Sequence, residues 1–263
     1  MVLLKFKAHL WAPAVAATAI FMVFSVTPAA IADHHQMAIH AAIENANRDP
    51  ANVARDPDRK AAEVVEFFAV KPGDVVLDLF SGGGYFSEVY SGLVGKDGRV
   101  YAHHRAGERF EKNKEKLAAH YAKFGNISLL VSADGTFDLP DDSVDLVMLS
   151  LIIHHLHYSE DTPDVLPEAS KALYAEIQRV LKPGGTFALI EHAAPKGASR
   201  KDSNDWHRIP PEMAIADLTS VGFKYVGSAD IHNNPEDAMN FAWGPAGMRG
   251  KTTRLVQKYT SPH

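Results

Sequence analysis

The sequence predicts an α/β domain: a doubly wound, seven-stranded, mostly parallel sheet whose last strand runs antiparallel. Two observations carry this. Short apolar runs at 75–79, 98–104, 127–131, 141–150, 186–190, 223–231 and 254–259 are separated, over most of the chain, by segments with helical spacing. That alternation gives a parallel sheet covered on both faces, with a ligand at the point where strand order reverses. The second is the stretch from Val75 to Ser87, which passes from an apolar run through Asp78 into Gly82-Gly83-Gly84. Tyr85, Phe86, Val89, Tyr90 and Leu93 then recur at helical spacing, so the stretch reads as strand, tight turn and helix. Glycines there let a ligand approach the backbone, and the helix start offers free N–H groups.

The rest of the chain is consistent with one large domain and appendages. With 263 residues, 46% of them hydrophobic, there is ample chain to bury a core. A net charge of −5 provides no basic footprint, which disfavours a nucleic-acid substrate. The absence of cysteine excludes disulfides, thiolate metal sites and a cysteine nucleophile. Residues 1–32 have the pattern of a signal peptide: Lys5 and Lys7, an apolar stretch from Leu10 to Val26, then Ala30-Ile31-Ala32. Pro13 and Pro28 break the run, which argues against a spanning anchor of about 20 apolar residues. The expectation is export and a mature start at Asp33, hence a periplasmic or secreted bacterial protein that meets the membrane only during export.

Residues 33–70 form an N-terminal helical segment with two Arg-Asp-Pro units, at 48–50 and 55–57. Asp before Pro suits helix starts; alternatively Arg48, Arg55 and Arg59 line a lid. Residues 71–263 form the main domain. Within it, Glu108–Phe124 is expected as a solvated helix, Leu173–Leu181 as an amphipathic helix closed by a left-handed glycine in Lys182-Pro-Gly-Gly185, and 193–209 as a polar connection.

The glycine turn separates two ligand classes. A dinucleotide site wants G-x-G-x-x-G, and the third glycine is replaced by Ser87. Asp78 would repel a pyrophosphate but suits an α-ammonium group. At this point the chain resembles a class I S-adenosylmethionine-dependent methyltransferase. Arg179-Val-Leu-Lys-Pro-Gly-Gly185 and the run from Asp145-Leu-Val to His154-His155 resemble the same family, as does the pair of final strands with no helix between them. The chain also resembles exported bacterial proteins labelled as predicted methyltransferases, in its Arg-Asp-rich N-terminal segment, His207-Arg-Ile209 and Asn234-Pro235.

The resemblance implies a Rossmann-like fold, S-adenosyl-L-methionine as cofactor and a small-molecule acceptor. It places Asp78 on the cofactor's ammonium end and Ser81, Gly82, Gly84 and Tyr85 at the backbone contacts. Asp134 with Gly135 falls at the adenine position. The ribose position, usually an acid, is His104, which lacks a carboxylate's two equivalent acceptors. His154 and His192 follow the fourth and fifth strands and lead the candidates for a catalytic base, ahead of His155 and His207. His154, His155 and His157 do not have the i, i+4 spacing of a helical zinc pair, so no metal is expected. The competing function is an exported, non-catalytic small-molecule-binding protein on the same fold. A nicotinamide reductase is disfavoured by Asp78 and Ser87.

Overall fold

The computed structural model describes residues 28–262, with side-chain environments from residue 35. Most of the expected leader therefore lies outside the described residues. Four helices open the chain: α1 (Pro28–Ile43), α2 (Pro50–Val53), α3 (Asp56–Arg59) and α4 (Ala61–Phe68). There follow β1 (Val75–Leu79), α5 (Tyr85–Val94), β2 (Arg99–Arg105), α6 (Glu108–Glu111), α7 (Lys114–Tyr121), β3 (Ile127–Ser132) and β4 (Val144–Ser150). After a 3-10 turn at Ile153–His155 come α8 (Glu168–Val180), β5 (Leu181–His192), α9 (Arg200–Trp206), α10 (Pro211–Ser220), β6 (Lys224–Ser228) and β7 (Arg254–Thr260). No helix among the described residues is long and apolar enough to cross a membrane.

The seven strands form one sheet in the order β3-β2-β1-β4-β5-β7-β6. All pairings are parallel except those of β7, which inserts antiparallel between β5 and β6. The central strands β1 and β4 are buried on both faces, as their continuous apolar sequences require. One core layer packs α1, α4 and α5 on one face, and a second packs α8 and α10 on the other. Strand order reverses between β1 and β4, which opens a crevice at their carboxyl ends.

Three local details depart from expectation. The helix expected over Glu108–Phe124 is split into α6 and α7, because the Asn113 side chain donates to the Arg109 carbonyl at 2.8 Å and competes with the helical ladder. Glycine does not cap α8. Leu181, the first residue after it, is already extended and pairs with Val144, so Lys182-Pro-Gly-Gly185 forms an irregularity within the edge of β5 instead. The connection at 193–209 contains α9, which opens with a reciprocal capping box between Ser199 and Asp202.

The N-terminal helices are tied into the domain. A Cβ at Gly92 would lie 2.6 Å from the Ala42 Cβ, so only glycine lets α1 come this close to α5. The helix-start reading of the Arg-Asp-Pro units holds at both, since α2 opens at Pro50 and α3 at Asp56-Pro57. Asp49 caps α2 by accepting from Ala51 N, with Pro50 in the first turn. Arg48, meanwhile, is a buried anchor: it donates to both Asp56 carboxylate oxygens at 2.8 Å and to the Ile43 carbonyl at 2.7 Å. Asn52 donates to Glu88 at 2.7 Å and to the Gly83 carbonyl at 3.2 Å, which holds this segment over the glycine turn.

Candidate active site

Two cavities open along the carboxyl edge of the sheet. The larger, about 960 Å³, runs from the glycine turn past the end of β2 to the residues after β4; Phe80, Gly82, Gly83, His103, His104 and His155 line it. A Cβ added at Gly82 or Gly83 would meet nothing within 4 Å, so the turn leaves an open cradle against its backbone. Phe80 has φ 54 and Leu151, at the matching end of β4, has φ 60. Non-glycine residues in that region mark the crevice as a strained site.

The expected cofactor residues divide around this cavity. Gly82 and His104 are on its wall. Ser81 stands behind them, its hydroxyl 3.1 Å from His104 Nε2 and donating to the His103 carbonyl at 3.3 Å. Gly84 is buried against Tyr121, and Tyr85 donates its hydroxyl to Asp56 at 2.7 Å beneath Arg48, Arg55 and Arg59. Asp78 is 2% exposed and accepts from the Ser87 hydroxyl at 2.6 Å. The serine that breaks the dinucleotide motif is thus the partner of the acid. Burial pushes the Asp78 carboxyl up to about 6, opposed by the Ser87 hydrogen bonds and the charge of Arg59. Asp134 and Gly135 are not on the cavity wall; Asp134 accepts from the backbone and hydroxyl of Thr136 at 3.1 and 2.7 Å, the Asp-Gly turn chemistry of a local loop.

The smaller cavity, about 290 Å³, lies beside Leu151 and is lined by Arg55, Arg59, His192, Trp243, Arg249 and Arg254 among others. Its cations outnumber their partners. Arg59 stacks 4.9 Å from the Tyr85 ring centroid, and its only side-chain hydrogen bond among the described residues is 3.5 Å to the Ser150 hydroxyl. Burial, then Arg55 and Arg254, lower its pKa to about 9. His192 stacks on Trp243 at 4.6 Å, with Nδ1 2.7 Å from the Thr252 hydroxyl. Burial brings its pKa to about 3 despite Glu191, so it is neutral and weakly basic at neutral pH.

A third feature is next in sequence to one residue of each wall, His155 of the larger and His192 of the smaller. His154 Nδ1 lies 2.8 Å from Glu191 Oε2, both groups buried. Burial opposes the carboxylate, but His154 and the His192 backbone N–H, at 2.7 Å, outweigh it and hold Glu191 below the usual carboxylate range. His155 and His207 stand against His154, so that three imidazoles meet here. His157 is not one of them: it is buried between Asp217 and the Tyr174 hydroxyl. Trp243, Arg254 and Glu191 were not among the expected site residues, and Arg59 was expected only in the reading that made it part of a lid.

Fold and crevice define a doubly wound α/β domain of the methyltransferase type, with its ligand cavity at the switch point. A family model described as a methyltransferase domain matches residues 70–238, and the chain belongs to that family. It is similar to a ubiquinone/menaquinone biosynthesis C-methyltransferase, UbiE, of Hydrogenovibrio crunogenus, with 30% identity over 65% of this chain and 64% of the relative. Similarity to an arsenite methyltransferase of Halobacterium salinarum is 29% over 48% of this chain and 29% of that protein. The chain thus spans less than two thirds of each of these relatives. The solved structure of a SAM-dependent methyltransferase from Aquifex aeolicus shares the fold, with a TM-score of 0.56 and 21% identity, over 84% of this chain and 97% of that one.

Proposed function

We propose that the chain is an S-adenosyl-L-methionine-dependent methyltransferase acting on a small, anionic acceptor. The observation that carries this is the pair of cavities along the carboxyl edge of the sheet, one lined by the glycine turn and the other by arginines. The residues fit the cofactor. The bare backbone at Gly82 and Gly83 gives it room, and His104 offers a hydrogen bond for a ribose hydroxyl. Asp78 and Arg59 supply opposite charges for a zwitterionic amino-acid end, and each lacks a full countercharge until that end arrives. The bound cofactor supplies an electrophilic sulfonium methyl group.

The chain itself contributes position and charge. Arg55, Arg249 and Arg254 attract a carboxylate- or phosphate-bearing acceptor, and Trp243 offers a flat surface to it. Alignment of this kind lowers the barrier chiefly through proximity, with proton removal as the second contribution. Glu191 accepts from His154 and orients it beside the larger cavity. His192, held neutral, acts as a hydrogen-bonding group. The relatives' names span a quinone-pathway C-methyltransferase and an arsenite methyltransferase, so they leave the acceptor to this chain's own arginines.

Calorimetric titration with S-adenosylmethionine and S-adenosylhomocysteine tests the reading: micromolar binding is expected, and is lost in Asp78→Ala. A folded chain that binds neither sinks it. Export belongs to the same proposal, and a mature N-terminus at Asp33, read by mass spectrometry of the secreted or periplasmic fraction, is its check.

A further inference from the structure

His154 and His155 come from the 3-10 turn that follows β4, and His207 from the end of α9. Their ring centroids are 4.1, 5.2 and 5.0 Å apart, and one candidate ligand atom from each lies within 4.8 Å of the others. No side-chain hydrogen bond to protein is made by His155 or His207 among the described residues. Both of these rings are exposed, so their nitrogens face solvent and are free to take a ligand.

The tautomer of His154 follows from its partner. A carboxylate can only accept, so Nδ1 of His154, 2.8 Å from Glu191 Oε2, carries the proton between them. That leaves the Nε2 lone pair free. A carboxylate behind an imidazole in this way fixes ring orientation and raises ligand basicity in metal sites.

The supports are rigid. His207 occupies the left-handed conformation that closes α9, with φ 53. Arg208, next in the chain, is fully buried and donates to both Asp237 oxygens at 2.9 Å. His207 is thereby pinned in a place that the sequence spacing of His154, His155 and His157 could not reveal.

We propose that His154, His155 and His207 bind a divalent transition-metal ion of the zinc class, with Glu191 orienting His154 and a fourth position open to the larger cavity. Neutral imidazoles suit zinc, copper, iron and nickel alike. Metal–nitrogen bonds of about 2.0–2.1 Å require the ligand atoms to close to roughly 3.3 Å in a tetrahedron. Side-chain rotation of the two partly exposed rings provides this. Because His155 lines the cavity, the open position takes water or an oxygen or sulfur donor of the acceptor. An acceptor hydroxyl or thiol bound there would release its proton to solvent and keep the electron pair as a metal-bound anion. That last step rests on the methyltransferase reading; the metal site does not.

The test is a Co²⁺ titration of the full chain, purified without a polyhistidine tag and followed by visible absorption, with Zn²⁺ as competitor. One equivalent should produce ligand-field bands that Zn²⁺ abolishes. His155→Gln and His207→Asn should each weaken the apparent affinity by more than tenfold, asparagine being chosen because it tolerates the left-handed backbone. Glu191→Gln should weaken it by about ten- to a hundredfold, with circular dichroism checking the fold. A folded chain without bands, or bands of unchanged affinity in both histidine variants, overturns the proposal. S-adenosylhomocysteine affinity, measured on the same samples and expected to be unchanged in His207→Asn, keeps failure of the metal site distinct from failure of the methyltransferase reading.

Discussion

The two cavities are built by different means. The wall of the larger one is centred on backbone, a bare glycine turn and the end of β2 with the segment that follows it, flanked by residues from 49–52 and 152–156. The smaller is set by side-chain charge brought from Arg55 and Arg59, His192, Trp243 and Arg254, segments almost 200 residues apart. A backbone wall survives most substitutions and fixes one ligand; a wall of convergent side chains can be retuned residue by residue. On this account the cofactor side should be robust and the acceptor side easily altered.

The largest effect should come from breaking the fixture of the acceptor side. Arg208 and Asp237 are both buried, and Arg208 also donates to the carbonyls of Ala193 and Phe241 at 2.9 and 3.0 Å. Arg208→Met leaves Asp237 unpaired, a change that costs about 3–5 kcal/mol, readable as a shift in the urea midpoint. Binding of S-adenosylhomocysteine by the molecules that remain folded should be retained. Loss of both together would mean that the two cavities are one unit.

Next is the pH dependence at Asp78. Its folded pKa, about 6, exceeds an unfolded value near 3.8, so the folded state holds the extra proton between them. Stability therefore falls as pH rises from about 4 to 6 and levels off above. The full span is about 3 kcal/mol at 1.36 kcal/mol per pK unit. Asp78→Asn should remove this slope from urea denaturation measured across that range. Cofactor affinity should rise over the same interval, because the carboxylate that destabilises the empty fold is the partner for an ammonium group.

A pair of glycine variants separates packing from binding on the backbone wall. Gly84 has φ 78 and a Cβ there would meet the Tyr121 hydroxyl and ring, so Gly84→Ala should cost about 2 kcal/mol through strain and overpacking. Gly83 has open space at its Cβ position. Gly83→Ala should stay within about 0.5 kcal/mol of the parent and weaken S-adenosylhomocysteine binding instead. The reverse pattern in thermal melts and calorimetry would remove the glycine turn from the cofactor site.

The same contrast explains what was legible in the sequence. Val75–Val94 declared its strand, turn and helix because every interaction involved is local, and β7 lay where the absence of an intervening helix put it. At Asp134 an acid before glycine has one sequence whether it faces a ligand or caps its own loop, and the structure shows the bonds to Thr136. The meeting of His207 with His154 and His155, and of Arg59 with Arg254, depends on tertiary convergence that no spacing encodes. The Ser199-x-x-Asp202 capping box was present as a pattern, and only its polar surroundings hid α9. Lys182-Pro-Gly-Gly185 shows the opposite failure: a local stop signal was overridden because the sheet bridge to Val144 captured Leu181 first.

The smallest expected effect asks whether the larger cavity is an adenosine site. His104 has its pKa lowered by burial, so it is neutral near pH 7 and offers a ribose one hydrogen bond where a carboxylate would accept two. Hydrogen bonds to charged groups exceed neutral ones by about 1 kcal/mol, which is roughly fivefold in affinity. His104→Asp should tighten S-adenosylhomocysteine by that factor in calorimetry near pH 8, and the Ser81 hydroxyl, now 3.1 Å from the imidazole, is close enough to support the new acid. If affinity falls instead, His104 is doing something a carboxylate cannot, such as donating to a ligand or sharing the cavity with an anion. The backbone wall would then have been adapted to a different occupant, and the binding-protein reading would gain the support that the arginines now give to catalysis.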